Sequence, residues 1–149
     1  SDANSTEFSQ TTKNPLIDLL PNQDLEADDV GASMRLGTYP CKIQPDTMAK
    51  DIYNNEIIYE RHRHRYEVNN KFRNELESKG LVFSGLSPDE DLVEMIELKD
   101  HPYFVASQFH PEFKSRPWDP APMFNSFIAA SKEIKFFDEN VKDEHKVKD

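Results

Sequence analysis

Short apolar runs separated by turn residues dominate the second half of the chain. One run covers residues 81–85, a second covers 92–98 and a third covers 104–106. In the second run two sets of side chains alternate, namely Leu92, Glu94, Ile96 and Leu98 on one face and Val93, Met95 and Glu97 on the other. A period of two is typical of strands. Because residues 87–89 and 100–102 read as close turns, the pattern predicts an antiparallel meander.

The first half of the chain predicts further strands. Residues 15–21 are a short apolar run between prolines, typical of a buried strand. Residues 34–43 read as a strand that is interrupted at Gly37 and Pro40. Residues 56–69 are strand-like as well, but they carry an unusual number of charges.

Three helices are predicted from capping residues and apolar spacing. Asp46 is expected to cap a helix that runs through Tyr53, and Asn70 a helix over residues 71–79 that ends at Gly80. Residues 123–137 predict the longest helix, with an apolar stripe made by Phe124, Phe127, Ile128 and Ile134. Residues 1–137 are therefore expected to form one domain, and the charged tail over 138–149 is expected to be flexible.

Composition narrows the classes of partner. The 149 residues carry a net charge of −10, which argues against nucleic-acid or membrane-surface binding. One cysteine allows no internal disulfide, and this fits a reducing, cytoplasmic setting. No apolar run approaches the roughly 18 residues of a membrane span.

A candidate catalytic pair follows the third apolar run. His110 is expected at the end of that strand, because Pro111 cannot donate a sheet hydrogen bond. Glu112 lies two positions on, where its carboxylate can hold one ring nitrogen of His110 and leave the other free to move a proton. The alternative is a turn histidine beside a solvated glutamate.

A second constellation covers residues 60–70. As a strand it would present Arg61, Arg63 and Arg65 on one face, where guanidinium groups can bind a carboxylate or phosphate. His62 and His64 would share the opposite face and could hold a metal, although no further ligand lies nearby in the sequence. A charged strand facing solvent or a neighbouring domain is the third possibility.

Four blocks resemble a known family. Gln-Phe-His-Pro-Glu-Phe at residues 108–113 is similar to the His-Pro-Glu signature of class I glutamine amidotransferases. Glu-Arg-His-Arg-His-Arg-Tyr-Glu-Val-Asn-Asn at residues 60–70 resembles the glutaminase domain of the CTP synthases, as do Asn-Ser-Thr-Glu-Phe at 4–8 and Met-Arg-Leu-Gly at 34–37. The resemblance runs from about Ala3 to Ala130.

The resemblance implies a fold and residue roles. The fold class would be α/β, an incomplete class I amidotransferase fold with a flavodoxin-like sheet flanked by helices and an antiparallel strand region. His110 and Glu112 would be catalytic members of a Cys-His-Glu triad, whereas Glu7 and Arg65 would bind glutamine. Free glutamine is zwitterionic, so a carboxylate suits its ammonium group and an arginine suits its carboxylate.

The resemblance also implies a larger enzyme. CTP synthases are ligases that aminate UTP to CTP, and this segment would hydrolyse L-glutamine to glutamate and ammonia for that reaction. Its partners would be L-glutamine, the synthetase domain of the same enzyme and the other subunits of a homotetramer. No cofactor or metal is expected in this segment, since ATP and magnesium would bind the synthetase domain.

The nucleophile of the implied triad is not apparent. The family places its cysteine in a Gly-x-Cys-x-Gly turn, but Cys41 follows Pro40 with no flanking glycine. Cys41 is therefore expected to be a packed side chain, and the nucleophile is expected to precede this segment. The 149-residue chain alone would then be inactive. The alternative function is a non-catalytic scaffold or interaction domain that kept the fold.

Overall fold

The computed structural model describes residues 2–19 and 34–133. Eight strands are present in this part of the chain, namely β1 (Ala3–Ser5), β2 (Asn14–Leu19), β3 (Arg35–Ile43), β4 (Ile57–His64), β5 (Tyr66–Val68), β6 (Leu81–Leu86), β7 (Val93–Leu98) and β8 (Val105–Ser107). The helices are α1 (Met48–Tyr53), α2 (Arg73–Ser78) and α3 (Pro122–Glu133). None of the helices described is long and apolar enough to cross a bilayer.

The strands form two sheets. The larger is antiparallel throughout and has the order β4-β3-β6-β7-β8. The smaller has the order β1-β2-β5, with β1 parallel to β2 and β5 antiparallel to it. The predicted α/β class and the antiparallel strand region are therefore confirmed.

Strand β3 is continuous, so the interruption predicted at Gly37 and Pro40 is wrong. Gly37 adopts a φ of 111°, a conformation that side chains other than glycine rarely take. Pro40 lies opposite Tyr59 of β4, whereas β6 pairs with β3 only at Lys42 and Ile43. No strand therefore pairs with β3 at Pro40 on the side away from β4. The N–H that proline lacks is not needed there, so the proline is tolerated.

The charged segment predicted as one strand over residues 56–69 is two strands in different sheets. Within β4, Arg61 and Arg63 are exposed and His62 is buried, as the predicted alternation requires. The strand ends at His64, and Arg65 forms a bend before β5 begins. The strand alternation that placed Arg65 on the face of Arg61 and Arg63 therefore ends one residue before Arg65.

The predicted helices are present with shifted starts. Thr47, not Asp46, caps α1, because its side chain accepts a hydrogen bond from the Lys50 N–H. Asn69 caps a 3₁₀ turn, Asn70–Phe72, that precedes α2. Gly80 has a φ of 93° just past α2, as expected of a residue that ends a helix. The last part of the helix predicted over 123–137 and the tail over 138–149 lie outside the described residues.

The core lies between the larger sheet and the helices α1 and α3. Its main cluster consists of Cys41, Ile43, Ala49, Tyr53, Ile58, Met95, Phe109 and Met123. A smaller cluster contains Phe83, Leu86 and Val93. The outer face of the β3–β4 pair is different, because Leu36, Ile57 and Tyr59 are exposed there. The same face also carries the exposed side chains of Lys42, Arg61 and Arg63, so it is a mixed apolar and basic surface.

Replacing Gly85 by alanine is expected to destabilise the core. A Cβ atom at Gly85 would lie 2.8 Å from the Cys41 Sγ and 2.9 Å from the Met95 Cγ. Overpacking of this kind typically costs about 1–3 kcal/mol, measurable as the free energy of unfolding in urea. Adding Cys41→Ala removes one of the two clashes, so the double variant should lose less than the sum of the single losses. Wild-type stability in Gly85→Ala would contradict this packing.

Candidate functional site

His110 is held where β8 gives way to a 3₁₀ turn, Pro111–Phe113. The strand ends at Ser107, three residues earlier than predicted, and the chain then bends toward β4. The backbone N–H of His110 donates to the carbonyl of Arg61 at 2.8 Å. The histidine is therefore anchored to the larger sheet through its backbone, which leaves its ring free for other contacts.

The side chains of His110 and Glu112 are joined by a hydrogen bond. The distance from His110 Nδ1 to Glu112 Oε1 is 2.7 Å. This bond holds the pKa of the Glu112 carboxyl below its usual range, so the carboxylate is ionised and accepts a hydrogen bond from Nδ1–H. The ring also stacks on Phe113, and its side chain is 38% exposed. Nε2 is thus the nitrogen left to transfer a proton.

Glu7 and Arg65 line one pocket of about 570 Å³. Glu7 lies in the turn that follows β1, and Arg65 forms the bend between β4 and β5. The other lining residues are Ile17, Met34, Arg63, His64, Tyr66 and Gln108. The pocket therefore combines one carboxylate with two guanidinium groups, which suits a small ligand that carries both charges.

A cluster of buried charged groups lies beside this pocket. Arg35 reaches Glu94 with Nη2 to Oε1 at 2.5 Å and Glu67 with Nη1 to Oε1 at 3.5 Å. His64 reaches the same Glu67 oxygen from Nε2 at 2.6 Å. Burial raises the pKa of the Glu94 carboxyl, although the guanidinium of Arg35 opposes that rise. Each of these groups is stabilised by its neighbours, because an unpaired charge in the protein interior is unfavourable.

Cys41 has the properties of a packed side chain. It is fully buried in the main core cluster, and burial raises the pKa of its thiol to about 12. The thiolate is the nucleophilic form of cysteine, so a thiol with this pKa is inert near neutral pH. Cys41 is therefore not suited to attack a substrate.

Comparison with known protein families shows which family this chain belongs to. The model of the family "Glutamine amidotransferase class-I" matches residues 11–130. The chain belongs to this family.

The amidotransferase chain is similar in sequence to CTP synthases. The CTP synthase of Caldanaerobacter subterraneus subsp. tengcongensis is 62% identical over 133 residues, which cover 89% of this chain and 25% of that protein. The CTP synthase of Bacillus subtilis is 60% identical over 131 residues, covering 88% and 24%. The chain thus spans about a quarter of the length of these relatives.

A solved structure extends the similarity to the fold. The glutaminase domain of Trypanosoma brucei CTPS with bound acivicin matches the amidotransferase chain with a TM-score of 0.79 at 37% identity. The match covers 89% of this chain and 51% of that one.

Sequence reasoning missed two features of the amidotransferase site. Gln108 lines the pocket, and its Nε2 donates to the Tyr66 carbonyl at 3.0 Å, which links the His110 segment to the Arg65 bend. Its place two residues before His110 was the available signal. The second missed feature is the buried ion pair between Glu94 and Arg35. Its signal was that Glu94 shares a strand face with Leu92 and Ile96, because a carboxylate on an apolar face requires a buried partner.

The histidines proposed as metal ligands face carboxylates instead. His62 Nε2 lies 3.5 Å from Glu94 Oε2, and burial lowers the pKa of His62 to about 3. His64 Nε2 donates to the Glu67 carboxylate at 2.6 Å. In the part of the amidotransferase chain that the structure describes, no group of three or more His, Cys, Asp or Glu residues could hold a metal ion.

Proposed function

We propose that this chain is part of the glutaminase domain of a CTP synthase, which hydrolyses L-glutamine to glutamate and ammonia for the ATP-dependent amination of UTP. The observation that carries the proposal is the hydrogen bond of 2.7 Å between His110 and Glu112, on an exposed ring in a glutamine amidotransferase. The similarity to CTP synthases over 89% of the chain supports that class of enzyme.

In the proposed mechanism His110 transfers protons at a thiolate nucleophile. The thiolate attacks the side-chain amide carbon of glutamine, and the C–N bond breaks as Nε2–H of His110 protonates the leaving ammonia. Water then attacks the thioester while His110 accepts its proton, and glutamate and the thiolate are released. Because Cys41 is buried with a raised thiol pKa, the proposal assigns the nucleophile to a cysteine outside this chain.

The ligand of the pocket is the second part of the proposal. Glu7 would accept hydrogen bonds from the α-ammonium group of L-glutamine, and Arg65 would donate to its α-carboxylate. Acivicin, a glutamine analogue, is bound in the similar glutaminase domain of T. brucei CTPS, which supports an amino-acid ligand. Ammonia would pass to a synthetase domain that binds ATP and magnesium, within a homotetramer.

Replacing Arg65 by alanine in the complete enzyme is expected to raise the KM for L-glutamine by roughly 10- to 150-fold, because a charge-assisted hydrogen bond contributes about 1.5–3 kcal/mol. Arg65→Lys should recover only part of this loss, since an ammonium group cannot form the two parallel bonds of a guanidinium. Glutamate release, assayed at several glutamine concentrations, measures the effect.

Arg116→Ala is a suitable control for the Arg65 experiment. The side chain of Arg116 is exposed and donates to the backbone carbonyls of Phe113 and Ser115. Its KM should equal that of the wild type. If the wild-type enzyme released no glutamate from L-glutamine, the proposed function would be wrong and the scaffold alternative would stand.

A further inference from the structure

Glu7 and Arg65 depend on the relative placement of two sheets. Arg65 joins β4 of the larger sheet to β5 of the smaller one. Glu7 follows β1, and its turn is tied to β2 by the Thr6 N–H, which donates to the Ile17 carbonyl at 3.0 Å. A ligand that contacts both side chains therefore needs the two sheets at a set distance.

A hydrogen bond crosses the Arg65 bend. His64 is the last residue of β4 and Glu67 lies within β5, and their side chains meet at 2.6 Å between Nε2 and Oε1. The side chain of Glu67 is only 3% exposed. Because the bond is buried and has a charged acceptor, it is stronger than a neutral surface bond. It fixes the direction in which the bend presents Arg65.

Arg35 extends this link across the sheets. It belongs to β3, and it contacts Glu67 of β5 at 3.5 Å and Glu94 of β7 at 2.5 Å. The guanidinium carbon of Arg35 also lies 4.6 Å from the centre of the Tyr39 ring. Glu67 of the smaller sheet accepts hydrogen bonds from both Arg35 and His64, which belong to the larger sheet. It therefore links the two sheets beside the Arg65 bend.

We propose that Glu67 is a positioning residue that holds Arg65 at the distance from Glu7 that an α-amino acid head group spans. Glu67 thereby determines selectivity for ligands that carry an α-carboxylate, and His64 and Arg35 act with it. The inference rests on the proposed function, because L-glutamine is taken as the ligand. Buried ionic groups that specify geometry rather than stability are known in other proteins.

The test compares three ligands in the complete enzyme that carries this chain. L-glutamine uses both Glu7 and Arg65, 5-amino-5-oxopentanoate lacks the ammonium group, and 4-aminobutanamide lacks the carboxylate. The variant Glu67→Gln should raise the KM for L-glutamine and the inhibition constant of 5-amino-5-oxopentanoate by roughly 10-fold. The inhibition constant of 4-aminobutanamide and the kcat for L-glutamine should stay within about twofold.

Glu97→Gln is the matched control. Glu97 is also a buried carboxylate of the larger sheet, but it accepts from the N–H groups of Met48 and Ala49 and does not line the pocket. This variant should have the same KM for L-glutamine and the same two inhibition constants as the wild type. Circular dichroism of each variant verifies that it is folded.

A second pair of variants keeps the proposal testable if Glu67→Gln fails to fold. His64→Leu removes the bond across the bend and should show the same selective loss, whereas His64→Gln retains a donor and should recover most of the affinity. Equal changes for all three ligands, or no change in either Glu67→Gln or His64→Leu, would overturn the positioning role. Absence of L-glutamine hydrolysis in the wild type would instead overturn the proposed function, and the positioning role with it.

Discussion

In the complete enzyme of the proposed function, replacing His110 by alanine is expected to lower glutamine-dependent CTP formation by about 10²–10⁴-fold, because a positioned general acid–base contributes that much. The ring is exposed and its Nδ1 is held by Glu112, so Nε2 is the group whose loss matters. CTP formation supplied directly with ammonia should persist, since no glutamine has to be hydrolysed. Assays with each nitrogen source measure the two activities.

Two variants accompany the His110 experiment. Glu112→Gln should reduce the glutamine-dependent rate less than His110→Ala, because the imidazole itself remains. Cys41→Ala should leave the rate unchanged, because the thiol is buried and its pKa is raised to about 12. An equal loss of both nitrogen-source activities in His110→Ala would show that the ring supports the structure rather than the chemistry.

Replacing Arg35 by methionine is expected to cost about 3–5 kcal/mol of folding free energy, the second large effect. The substitution preserves much of the volume but removes the positive charge that lies between Glu67 and Glu94. Glu94 would then lose its partner cation, and Glu67 would retain only its hydrogen bond to His64. Because domains of this size are stable by only about 5–15 kcal/mol, the substitution would remove a large part of that stability. Urea unfolding followed by circular dichroism measures the change.

Lys42→Met provides the comparison within the same strand. Lys42 pairs with Glu90 at 2.6 Å, but both side chains are about half exposed, so solvent screens this pair and its loss should destabilise the chain far less than the loss of Arg35. A triple variant, Arg35→Met with Glu67→Gln and Glu94→Gln, should recover part of the loss, because no unpaired charge remains. If Arg35→Met destabilised the chain no more than Lys42→Met, the buried cluster would not contribute to stability.

Strands were predictable where local pattern and turn residues agree. β6 and β7 follow from their apolar runs and from Gly80 and the turn after Leu86, since hydrogen bonding to a sequence neighbour needs no distant information. The continuity of β3 through Pro40 was not predictable, because it depends on which strand covers each edge. The break at Arg65 was missed for a similar reason, since a change of sheet leaves no mark on the alternation.

The candidate site divides in the same way. His110 and Glu112 are two residues apart with Pro111 between them, so their contact follows from local geometry and was predictable. Arg35, Glu67 and Glu94 are far apart along the chain, and only the packing of three strands brings their charges together. The sequence by itself determined the elements and the local histidine–carboxylate pair. Tertiary structure alone decided which charged groups are buried, because burial depends on neighbours that sequence separation does not reveal.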